Sequence, residues 1–175
     1  WRSAYVTDAP VRSASAPSRS DPDGAGSVFT RLLNSGASDA ETHIVHRSTT
    51  CFVICNLFPY TVGHVLVVPI EEVDHWIDLD ADLLAHLMQV SQTIGRAVDR
   101  AFEPEKVGMM IAGLEVPHVH VHVVPMTGVR DLDFAHADPH PSPESLAVAA
   151  EGSVAARATR GVLDHEGCSR GRAML

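Results

Sequence analysis

Pro117-His118-Val119-His120-Val121-His122-Val123-Val124-Pro125 is the stretch on which the fold turns. Histidine alternates with valine between two prolines, so an extended backbone puts His118, His120 and His122 on one face and Val119, Val121 and Val123 on the other. The result is a strand with one chemical face and one apolar face. A lone histidine is ordinarily a surface or packing residue; three in register on a β-branched strand ask for a chemical reading. Metal binding is the first such reading, because neutral imidazole is a common ligand. Geometry opposes a single ion held by all three: on a strand the outer two lie roughly 13 Å apart, whereas a zinc–nitrogen bond is about 2 Å. No Cys, Asp or Glu elsewhere has obvious ligand spacing to complete a site, so no metal is expected. A row of imidazoles suits another task, in which one ring attacks and its neighbours hold charge, departing group or orientation.

Outward from this strand, Val107 to Ala112 reads as the strand before it, broken by Gly113. Further upstream, Leu83, Leu87, Val90, Ile94, Ala97, Val98 and Ala101 recur at spacings of three and four, which predicts one long helix over 80–102. Asp80 and Asp82 suit its positive end, and Pro104 closes it. His64-Val65-Leu66-Val67-Val68-Pro69-Ile70 is nearly all apolar and is expected to be a central strand. Strands over 51–57 and 41–47 precede it across short connections, which favour antiparallel neighbours. Val28, Phe29, Leu32 and Leu33 share one side of a short helix, with Ser27 as N-cap and Asn34-Ser35-Gly36 as the stop.

At 175 residues the chain is expected to form one domain over 27–126. A disordered extension over 1–26 precedes it, rich in Ser, Ala, Pro and Arg. An irregular C-terminal extension over 127–175 follows, with a helix over 143–157. A formal net charge of −9 opposes a broad nucleic-acid surface, although histidines and local dipoles can still hold a small phosphate ligand. No apolar run approaches the roughly 20 residues that cross a bilayer. Of the eleven histidines, His43, His46, His75, His86 and His136 lack the clustering and read as surface or packing residues. Cys51, Cys55 and Cys168 are an odd, sparse set. On a strand the first two lie roughly 13 Å apart, too far for a disulfide, so reduced thiols in a cytoplasmic protein are expected.

The motif from His118 to Val124 resembles the His-φ-His-φ-His-φ-φ signature of the histidine-triad (HIT) family, where φ is apolar. Asn56-Leu57-Phe58-Pro59-Tyr60-Thr61-Val62-Gly63-His64-Val65-Leu66-Val67-Val68-Pro69 resembles that family's strand, Pro-x-x-x-Gly-His turn and following strand. The resemblance implies an α+β fold: a HIT-like antiparallel five-stranded sheet with one long helix and a short N-terminal helix, commonly paired into a homodimer. It implies a nucleotide hydrolase or transferase acting at an α-phosphate of a small nucleotide, with no cofactor. His120 would be the nucleophile and form a nucleotidyl-histidine. His122 would hold the phosphoryl oxygens or the departing group, His118 would orient, and His64 would approach from the neighbouring strand. For the nucleoside, Phe29, Leu32, Ile54 and Leu57 are the expected apolar contacts, and Asn56 the polar contact to ribose.

The expected substrate is an adenosine phosphoramidate or related conjugate, with water resolving the intermediate and a nucleoside monophosphate released. Asn56 stands where the phosphoramidase branch usually has aspartate, which makes a dinucleoside polyphosphate hydrolase or phosphorylase the alternative. Three other departures bear on activity. Ser27-Val28-Phe29-Thr30 replaces a Cys-x-x-Cys zinc segment; Ala112-Gly113-Leu114-Glu115-Val116-Pro117 replaces the usual neutral phosphate-contacting loop; and Met126 stands where an arginine often follows the last proline. The second of these motivates a further alternative, a nucleotide-binding regulatory module with little catalysis.

Overall fold

The computed structural model describes residues 26–158. The expected N-terminal extension falls almost entirely outside the described residues, as does Cys168. Five strands form one antiparallel sheet in the order β1-β2-β3-β5-β4: β1 Ile44–Arg47, β2 Cys51–Cys55, β3 Val65–Pro69, β4 Lys106–Ile111 and β5 Val121–Met126. Three helices accompany it: α1 Val28–Asn34, α2 Ala81–Phe102 and α3 Pro143–Ala158. This is the α+β architecture that the family resemblance implies, with β3 at the centre as its apolar run predicts.

The two faces of the sheet follow from side-chain alternation. Val53, Val65, Val67, Val119, Val121 and Val123 form the main core with Leu87, Val90, Ile94 and Val98 of α2. Each such side chain taken fully out of water stabilises the fold by about 1.5–3 kcal/mol. The opposite face carries Phe52, Ile54, Leu66 and Val68, covered by Phe29 of α1 and by Ile44. Both faces are therefore covered over β2 and β3, and every residue of these strands is buried. On the second face Ile54 pairs with Leu66, Leu66 with His122, and His122 with Met110, so one cross-strand row ends in the histidine motif.

Asp80 caps α2 by accepting from the backbone N–H groups of Asp82 and Leu83, and Glu103 ends it in the left-handed conformation just before Pro104. The last turn fixes the approach to the site. Gly63 has φ +92°, and a Cβ there would lie 2.6 Å from the Phe102 ring. Only glycine fits both the conformation and the gap, and the chain leaves it directly into His64 at the head of β3. The same ring faces Gly152, where a Cβ would meet it at 2.9 Å, and this close approach seats α3 on α2. Ala149 of α3 belongs to the main core. Among the described residues no helix is long and apolar enough to cross a membrane.

Candidate active site

The histidine stretch is only partly paired. β5 begins at Val121, while Val119 donates its N–H to Val73 O at 2.7 Å. The strand expected over 117–125 thus starts four residues later and ends one later, because Pro117 has no N–H to give and the loop at Val73 takes over the pairing. Side chains still alternate: Val119 and Val121 enter the main core, and the three imidazoles line the other face. All are secluded, with His118, His120, His122 and His64 only 0%, 7%, 5% and 1% exposed. The His120 and His122 rings lie 4.9 Å apart, and His64 sits 5.2 Å from His122.

Hydrogen bonds determine where each proton resides. His120 Nδ1 is 2.7 Å from the carbonyl oxygen of His118. A carbonyl only accepts, so Nδ1 carries the hydrogen and the lone pair is on Nε2. His64 Nδ1 accepts the backbone N–H of Tyr60 at 3.2 Å, which puts the hydrogen of the neutral ring on Nε2. That hydrogen is donated to His122 Nδ1 at 3.0 Å. His122 in turn holds its own hydrogen on Nε2, a buried atom with no hydrogen-bond partner. Two adjacent rings thus offer opposite functions, a lone pair on His120 and an unused N–H on His122. His118 completes the set: Nε2–H donates to Pro69 O at 2.9 Å, and Nδ1 accepts from the Ser27 hydroxyl at 2.7 Å.

Burial keeps these rings neutral. It pushes His64 down to about 3, with the neighbouring His122 and His120 adding to the effect, and pushes His122 down to about 4, with His120 adding. His118 and His120 are also lowered, chiefly by burial. A consequence for stability follows. In the unfolded chain these imidazoles titrate near 6.5, whereas the fold prefers them neutral. Their stabilising contribution is complete above pH 6.5 and declines as pH falls toward the folded values, by up to about 1.4 kcal/mol per pH unit for each group. Thermal melts are expected to show a lower midpoint at pH 5 than at pH 7.5; an unchanged midpoint would contradict neutral burial of the row.

The proposed nucleoside contacts are distributed unevenly. Phe29 stands edge-on to His118 at 5.5 Å and to His120 at 5.3 Å, in direct contact with the row. Ile54 is buried on the same face and Leu32 packs beside it. Asn56 turns its amide onto the His64 ring and onto Phe58 O, and its carbonyl oxygen accepts from Phe58 N–H. Leu57 is exposed in the following turn. Sequence reasoning did not anticipate Tyr60, whose ring stacks on His122 at 5.8 Å with 7° between planes. Nor did it anticipate Phe134, which meets Tyr60 at 5.6 Å from a 3-10 turn beyond β5.

Known proteins are similar to this chain in sequence and in fold. An AP-4-A phosphorylase of Mycobacterium tuberculosis is 33% identical over 143 residues, 77% of this chain and 68% of the relative. The asymmetrical bis(5'-nucleosyl)-tetraphosphatase of Schizosaccharomyces pombe is 29% identical over 102 residues, 55% of this chain and 54% of that protein. Among solved structures, a HIT-like protein from Bartonella henselae superposes with a TM-score of 0.64 at 22% identity, over 75% of this chain and 96% of that one, which shows the fold alone. The HIT domain model matches residues 37–129, from the approach to β1 through the histidine strand. With the sheet order, the row of imidazoles and the match over more than half of its length in agreement, the chain belongs to the HIT domain family.

Proposed function

We propose that the protein is a nucleotide hydrolase or phosphorylase that attacks the α-phosphate of a dinucleoside polyphosphate through His120. One observation carries this reading: a lone pair on His120 Nε2 beside an unpartnered N–H on His122. In the first displacement Nε2 bonds to phosphorus, and the P–O bond to the remaining polyphosphate breaks with its electron pair. Nδ1–H stays on the ring, and the His118 carbonyl steadies the positive charge it acquires. His122 Nε2–H faces the phosphoryl or departing oxygen, charge that grows during the step. In the second displacement an oxygen of water or of inorganic phosphate attacks phosphorus, the P–N bond breaks, and the electron pair returns to Nε2. A proton from water leaves to solvent. Phe29, with Leu32 and Ile54 behind it, and Leu57 are proposed as the apolar contacts to the nucleoside, and Asn56 as the polar contact to the ribose.

The names of the relatives support the dinucleoside polyphosphate class over the phosphoramidate expected first from the motif. Both substrates present the same phosphorus, and they differ in the departing group. The proposed setting is cytoplasmic, consistent with the free, buried thiols of Cys51 and Cys55. A homodimer is also proposed. The edge strand β4 and α2 frame an apolar cavity of about 500 Å³ lined by Trp76, Leu84, Met88 and Met109, a face suited to a second copy.

Product chromatography with diadenosine tetraphosphate tests the reading and divides its two forms. Hydrolysis is expected to give AMP and ATP, and phosphorolysis in added inorganic phosphate ADP and ATP. Binding without any product, from this substrate or from adenosine phosphoramidate, would replace the enzyme by a nucleotide-binding regulatory module.

A further inference from the structure

The first turn of α1 is joined to the row by hydrogen bonds that the reaction scheme leaves unused. Ser27, the N-cap, is buried, and its oxygen accepts the Thr30 backbone N–H at 3.2 Å. Its single hydroxyl hydrogen has two neighbours, His118 Nδ1 at 2.7 Å and Thr30 Oγ1 at 3.3 Å. The shorter contact is to a nitrogen that holds a lone pair, because the other nitrogen of His118 is already committed as donor to Pro69 O. The hydrogen therefore goes to His118. Glu72, which lies beyond β3, anchors the turn. One carboxylate oxygen accepts the Ser27 backbone N–H at 2.8 Å and also the Thr30 hydroxyl. The chain of donors thus runs from α1 into His118, and the carbonyl of that same residue accepts Nδ1–H of His120.

We propose that Ser27 is a positioning residue for the reaction: anchored by Glu72, its hydroxyl is the second tether that, with Pro69 O, fixes the orientation of the His118 ring, and so fixes the carbonyl that holds the His120 imidazole for attack. The inference rests on the reading of His120 as nucleophile. Without the hydroxyl, His118 Nδ1 is a buried acceptor with no partner, and the ring, held at Nε2 by Pro69 O alone, is free to tilt or to slide along that bond. Either movement shifts the peptide at His118 and loosens the bond that keeps the lone pair on His120 Nε2. Phe29, on the same helix turn and edge-on to both rings, ties the two movements together.

Ser27→Ala and Ser27→Gly both remove the hydroxyl, and glycine is nearly as good as serine at an N-cap, so the pair separates loss of the lock from loss of the cap. Two readouts are taken on full-length protein: steady-state kinetics with diadenosine tetraphosphate, and ¹⁵N-resolved imidazole NMR, which distinguishes protonated from lone-pair nitrogens. Both variants are expected to lose about tenfold in kcat with KM within about twofold. The His118 Nδ1 resonance should move to that of an unbonded nitrogen and the His120 Nδ1–H signal should shift, while Ser27→Thr restores kcat and both signals. Unchanged kcat would overturn the proposal. So would a lower kcat with His118 and His120 signals identical to the parent, which is what a merely structural role predicts. If the parent shows no turnover, the reaction scheme fails on its own; the spectra then still decide whether Ser27 sets the two rings.

Discussion

Replacing His120 by asparagine is expected to lower turnover by about 10³-fold or more while the protein stays folded and still binds nucleotide. The size of the effect follows from the role. No other ring in the row has an uncommitted lone pair: His118 spends its Nδ1 on Ser27, His64 on the Tyr60 N–H, and His122 on His64. Asparagine is the informative choice because its amide nitrogen can take the place of Nδ1 and keep the bond to the His118 carbonyl, so local structure survives. Alanine in the same place would also remove a ring packed against Phe29 and His122. The two variants should agree on activity and differ on stability. A soluble His120→Asn protein that turns over at the parent rate would remove the nucleophile from the account.

His122→Ala is expected to cost about 10²–10³-fold in kcat, the range for losing one preorganised donor to a developing oxyanion. The loss reaches further than one hydrogen bond. His64 Nε2–H would be left buried without its acceptor, and the Tyr60 ring would lose the surface it stacks on. Leaving such a donor unsatisfied costs about 1–3 kcal/mol, so a lower melting point should accompany the lower rate. Glutamine, which restores an amide N–H, should recover part of the rate. The pH dependence gives an independent check. Burial pushes His122 down to about 4 and His64 down to about 3, so in the proposed scheme His122 donates as a neutral ring across the neutral range. Because burial also lowers His120, the kcat profile should stay flat through the neutral range and fall only on the acid side of the ordinary imidazole value, as His120 takes up a proton. A rate that declines from pH 6.5 to 8 would mean that an imidazolium is the working donor.

Much of this was legible in the sequence because period-2 alternation fixes faces before any tertiary contact is known. The three valines that enter the core and the three histidines that do not are separated by the strand geometry alone. The spacing of Leu87, Val90, Ile94 and Val98 likewise placed α2 against that apolar face. Strand ends were less legible. The expected strand over 51–57 stops at Cys55 because Asn56 closes a turn on Phe58, and the one over 41–47 starts at Ile44 because His43 takes a left-handed conformation. Side chain-to-backbone competition of this kind leaves little trace in hydrophobic pattern.

The alternation placed the three histidines on one face, as the structure has them, and left the network around them unread. Ser27 was recognisable as an N-cap, yet its bond to His118 spans 91 residues, and no local pattern encodes such a contact. A signal did exist in Ser27 and Thr30, two hydroxyls three apart at the start of a helix. Their partner Glu72 had no signal, since it lies in an irregular segment and meets α1 only through the fold. Tyr60 and Phe134 were missed for the same reason: one belongs to a turn and the other to a segment past β5, and each reaches His122 from a different direction. Aromatic residues in loops acquire meaning only when the loops are placed.

The most direct test is to quench the protein in acid-free denaturant milliseconds after mixing with diadenosine tetraphosphate and to map any mass increase by peptide mass spectrometry. A nucleoside monophosphoryl group on the peptide containing His120, absent from His120→Asn, is the predicted result. Turnover with no adduct at any time, or an adduct on a different residue, would contradict attack by His120.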